Sequence, residues 1–100
     1  MQSFYPEQFE REMACTSIDW LRWLPAAVGD DLHWKLHAGA AGVRLGEGAL
    51  GLKWHEAPPR VIGLVQLPVL KVSFRFAGVV DAERHAFMKR FDLYMQRGGG

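Results

Sequence analysis

The sequence predicts an α+β domain: an antiparallel sheet of five to six strands with a broken N-terminal helix and a long C-terminal helix packed on one face. Three observations lead there. Residues between about 31 and 77 alternate apolar and polar side chains in several short runs, the period of a strand with one face in a core and one in water. Gly39, Gly46, Gly48, Gly78 and the pair Pro58-Pro59 divide those runs. Helical spacing of apolar residues occurs only before and after them.

The elements follow in order. Phe9 to Cys15 places Phe9, Arg11, Met13 and Cys15 on one side of a first strand, with the start of a helix as the alternative. Thr16 or Ser17 then caps a helix whose apolar stripe is Ile18, Leu21, Leu24 and Val28. Pro25 interrupts it, because a proline removes a helical hydrogen bond and crowds the preceding turn, and Gly29 closes it. Strands are expected at about 31–37, 41–46, 49–56, 60–67 and 69–77, with a tight hairpin link at Leu67-Pro68. Asp81 caps the last helix, which runs to about Arg97. Ala82, Ala86, Phe87, Phe91, Tyr94 and Met95 should face the sheet, and Glu83, Arg84, Lys89, Arg90, Gln96 and Arg97 should face water. The order is β-α-β-β-β-β-β-α. It is similar to a shortened helix-grip topology and to a TATA-binding-protein-like half, and fold alone does not fix function.

One hundred residues form one domain, 1–100, with 1–7 and 98–100 expected to be flexible. Four Trp and six Phe supply core material. The net charge of +1 hides an asymmetry: residues 1–31 hold six acids and two bases, whereas 32–100 hold ten bases and five acids. Cys15 is the lone cysteine, so no internal disulfide forms and a reducing, cytoplasmic setting is expected. No basic-then-apolar leader opens the chain. The apolar stretch Val61–Leu70 contains Gln66 and Pro68 and is too short to span a bilayer, so no membrane partner is expected.

The outward strand positions carry the functional signal. Lys35, Arg44, Lys53, Lys71 and Arg75 are all cationic, and His33, His37 and His55 join them. A face of one sign can meet an anionic partner, nucleic acid or an acidic protein. The competing reading is a solvated face covered by the acidic N-terminal residues. Trp34 and Trp54 fall on the apolar side, which speaks against bases stacking on this face.

Other candidates reduce to structure. His33 and His37 lie four residues apart on a strand, about 13 Å, too far to share a metal, so no metal site is expected. The neighbours of Cys15 supply no base, so it reads as a small buried hydrophobe. Asp30-Asp31 after Gly29 reads as a turn. The glycines match neither a dinucleotide nor a phosphate-binding loop, and no cofactor is expected. His85 reads as a surface residue and Arg97-Gly98-Gly99-Gly100 as a frayed end.

The leading expectation is thus a non-enzymatic binding domain that uses the cationic face. One alternative is a small apolar-ligand binder, or an enzyme, with a cavity lined by Trp34, Trp54, Phe74, Phe76, Phe87, Phe91 and Tyr94; their bland reading is core. A second is a structural subunit of a larger assembly. The segment Val61–Leu67 breaks the alternation, with Ile62 and Leu64 pointing one way and Val61, Val65 and Leu67 the other. That predicts a homodimer through Ile62 and Leu64, since exposed apolar patches mark interfaces.

Overall fold

A computed structural model describes residues 4–29 and 33–97. The chain folds as β1 (Gln8–Met13), α1 (Ser17–Val28), β2 (Trp34–His37), β3 (Ala40–Leu45), β4 (Gly48–Ile62), β5 (Val65–Ala77) and α2 (Asp81–Arg97). The strands form one five-stranded antiparallel sheet in the order β1-β5-β4-β3-β2. The expected α+β class and antiparallel sheet are therefore present. The Asp30-Asp31 turn, the start of the second strand and the glycine tail lie outside the described residues.

The inner face of the sheet is the core. Val43, Leu50, Leu52, Leu70, Val72, Phe74 and Phe76 are buried at alternate positions along β3, β4 and β5. Both helices contribute to the same core. Trp20 of α1 meets Trp54 at 5.4 Å and Phe91 of α2 at 5.8 Å between ring centroids. Phe91 stands edge-on to Phe74 at 5.5 Å, and Phe87 edge-on to Phe76 at 6.3 Å. Apolar burial of this kind is the main stabilising term.

The helices differ from expectation in which side they bury. In α1 the buried residues are Trp20, Leu24, Ala27 and Val28, while Ile18 and Leu21 are exposed. The large indole of Trp20 removes more apolar area than Ile18 can, and it sets the rotation of the helix. Thr16 is the N-cap, accepting from the Asp19 N–H. Glu56 of β4 accepts from the Ser17 N–H at 2.9 Å and from its hydroxyl. Helix α1 runs without a break through Pro25, which is solvent-exposed. Gly29, at φ 102°, ends it with its N–H on the Pro25 carbonyl.

In α2 the buried set is Arg84, Phe87, Met88, Phe91 and Met95, and Ala82 and Ala86 face water. Arg84 turns inward because carbonyls await it: its Nε donates to Tyr5 O at 3.0 Å and a terminal nitrogen to Val79 O at 2.6 Å. A cation buried on that many acceptors ties the N-terminal segment to α2. On the other side of that segment Arg11 bonds Asp92 with both terminal nitrogens, and the Tyr5 hydroxyl donates to the same carboxylate.

The largest departure concerns residues 57–69. The strand expected at 49–56 continues to Ile62 as β4, with a bulge between Ala57 and Arg60 that takes up Pro58-Pro59, and the one expected at 60–67 is split between the end of β4 and the start of β5. The hairpin turn is Gly63-Leu64, not Leu67-Pro68. Gly63 takes φ 61° there, which suits a two-residue loop with glycine first. The register pairs Ile62 with Val65 and Arg60 with Leu67, so Ile62, Val65 and Leu67 share a side and Val61 lies opposite. The expected grouping of Ile62 against Val65 and Leu67 is thereby corrected, because the reversal between them resets which side each strand presents. Leu64 sits in the turn itself. This hairpin arm runs about 17 Å past the last pairing of β1.

Candidate anion-binding face

The helices cover one side of the sheet, and the opposite side presents exposed or half-exposed residues. Register places its side chains in rows across the strands. One row runs Lys35, Gly42, Gly51, Arg75, Gln8, and the next His37, Ala40, Lys53, Ser73, Glu10. Beyond these, Arg44 lies opposite Ala49, and His55 opposite Lys71 and then Glu12. The backbone of His33 accepts from Arg44 N–H at 2.8 Å, which keeps His33 at that end of the face. All eight residues named from the sequence therefore belong to one surface.

The floor of that surface is small. Gly42, Gly51, Ala40 and Ala49 occupy its centre, and a Cβ added at Gly42 would meet nothing within 4 Å. Lys35 and Arg75 flank the two glycines, three strand spacings or about 14 Å apart. Open grooves result, and two of them hold four of the five cations. One of about 450 Å³ is lined by Lys53, His55, Lys71, Ser73 and Glu10 among others. The other, about 380 Å³, is lined by His33, Lys35, Arg44, Gly42 and Ala49 with Trp34 and Val43.

Among the described residues, four of the other cations are neutralised locally, whereas Lys89 and Arg90 of α2, like the cations of this face, make no ion pair. Arg11, Arg22, Arg60 and Arg84 each pair with a carboxylate, at Asp92, Asp19, Glu12 and Asp81. Among the described residues, Lys35, Arg44, Lys53, Lys71 and Arg75 make no ion pair. Five like charges left unpaired on one open surface sum to a positive potential that an anion lowers.

β1 bears on the competing reading of a face covered by acidic N-terminal residues. It pairs with β5 and brings Glu10 and Glu12 to the margin of the same face, beside Ser73 and Lys71. Glu12 is engaged by Arg60 across β5 at 2.8 Å. The alternation of Gln8, Glu10 and Glu12 with Phe9, Arg11 and Met13 was a usable signal for which side they take. The neighbour of β1 was not, since that pairing joins the two ends of the chain.

The aromatic set considered for a cavity sits in the core instead of around a space. Trp54, Phe74, Phe76, Phe87 and Phe91 are buried in one cluster, with Trp34 and Tyr94 packed against it. His33, His37 and His55 lie on strands β2 to β4 or just before them. Among the described residues no group of three or more His, Cys, Asp or Glu is placed to hold a metal. Cys15 is buried, and burial, aided by Asp19, pushes its thiol above the ordinary range and away from the reactive thiolate. No helix among the described residues is long and apolar enough to cross a membrane. Comparison with protein families, with curated proteins and with solved structures finds no match to this chain.

Proposed function

We propose that this protein is a binding domain that holds an anionic polymer against the open face of its sheet. The observation that carries the reading is the unpaired set Lys35, Arg44, Lys53, Lys71 and Arg75 on a floor of glycine and alanine. Such a floor lets a chain of negative groups lie close to the backbone, and contact with phosphate or carboxylate requires only Lys and Arg in reach. No Phe, Tyr or Trp of the described strands stands among these rows, so recognition follows charge rather than base identity. The filled aromatic core favours this reading over one with a ligand cavity beneath the sheet.

The test is retention on heparin, an oligonucleotide column and a polyglutamate column at low salt. Lys53→Glu with Lys71→Glu should release the protein at much lower salt. Lys89→Glu with Arg90→Glu makes the same change in net charge on exposed positions of α2 and should leave retention closer to wild type. Equal loss in both variants would reduce the effect to net charge and overturn the reading. Retention on oligonucleotide against polyglutamate separates a nucleic acid from an acidic protein partner.

A further inference from the structure

We propose that the hairpin arm is a homodimerisation element, with the Ile62, Val65 and Leu67 side packing on the same side of a second copy and Leu64 at the rim. The proposal is independent of the anion-binding reading. It begins with exposure: Ile62 is 59% exposed, Val65 56% and Leu64 fully so. The whole chain exposes 6525 Å². A compact monomer of 11.3 kDa exposes about 5,700 Å². The excess, about 800 Å², reflects an elongated outline, 47 Å in its longest dimension. The radius of gyration, 13.8 Å, likewise exceeds the roughly 12.7 Å of a compact chain of this length.

Charge selects the second copy as the occupant. Arg60 is the only charged residue from 57 to 70, and Glu12 neutralises it at 2.8 Å. A neutral aliphatic patch meets an identical patch without repulsion, as a two-fold contact requires. The rest of the open face, being cationic, repels its own copy and stays free. Prolines direct the geometry further. Pro58 and Pro59 lie on one strand of the arm and Pro68 on the other, and residues without an N–H hinder pairing along the edges. The arms therefore meet side to side through their aliphatic faces and not by extending one another's sheet.

Gel filtration with light scattering tests this, on the full chain from micromolar to about 1 mM, the weak end of specific association. A mass twice 11.3 kDa is expected as concentration rises. Ile62→Asp and Leu64→Asp should each return the monomer mass with an unchanged far-ultraviolet circular dichroism spectrum, both positions being exposed. A wild-type monomer throughout, a dimer that survives both substitutions, or open-ended oligomers would each overturn the proposal. A monomeric Leu64→Asp variant that keeps its heparin retention separates this result from the fate of the anion-binding reading.

Discussion

Phe91→Ala should come close to unfolding the domain. Phe91 is wholly buried where the two helices and the sheet meet. Its ring stands at 89° to Phe74 at 5.5 Å, with Trp20 at 5.8 Å and Phe87 at 5.7 Å. Truncating a buried phenylalanine costs about 3–5 kcal/mol, including the cavity left behind. Aromatic contacts beyond simple burial contribute about 0.5–1.5 kcal/mol each, so three neighbours place the cost toward the upper end of that range. Domains are stable by only about 5–15 kcal/mol. For a chain of this length each kcal/mol lowers Tm by about 4–8 °C, so a fall of at least about 12 °C is expected. Thermal melts by circular dichroism, with urea denaturation alongside, give the value. Lys89→Ala, on the exposed side of the same helix, should stay within about 0.5 kcal/mol of wild type. A Phe91→Ala Tm within about 4 °C of wild type would refute the docking of α2 on the sheet.

Two further predictions concern close approach and pH. A Cβ at Gly48 would run into the Gly78 carbonyl and lie 2.5 Å from that of Ala77, while one at Gly42 meets open space. Gly48→Ala should therefore destabilise by about 1–3 kcal/mol and Gly42→Ala by nothing, or stabilise by up to about 1 kcal/mol; equal urea midpoints would contradict the β4–β5 register. Burial, then the Asp92 carboxylate, raises the Tyr5 hydroxyl above its ordinary pKa of 10.0. Folding therefore favours the protonated phenol, and its contribution is present below pH 10 and lost as pH rises through the folded value. Stability should fall on raising pH from about 9 to 11 less in Tyr5→Phe than in wild type, and identical falls would count against the Tyr5–Asp92 contact.

The legible parts of this fold are those where neighbours impose a strict period. Leu50, Leu52 and Trp54 against Gly51, Lys53 and His55 could be assigned to two faces from their order alone, and the same holds for Leu70 to Phe76. That made all five cations of the open face identifiable. Around the arm the sequence was ambiguous. Val61 to Leu67 contains no charge, and Pro68 offers a turn signal more prominent than Gly63. In the fold, Gly63 reverses the chain and the prolines sit on the strands. Helix faces were legible in period but not in phase, since Ile18 and Trp20 both fit a stripe and only tertiary packing chose between them. Arg84 looks like a surface residue until Tyr5 and Val79, 79 and 5 positions away, present their carbonyls.

The proposed binding of an anionic polymer rests on five cations acting together on the open face of the sheet. The measurement is the binding constant for a duplex and for a single strand between about 50 and 200 mM salt. Engagement of all five predicts a slope of log K against log salt of about −4.5 for duplex and −3.5 for single strands. Arg75→Ala, which removes one cation beside Gly51, should make the duplex slope shallower by about 0.9. No binding to either strand form or to polyglutamate at the low end of that range, or a slope unchanged by Arg75→Ala, would contradict it.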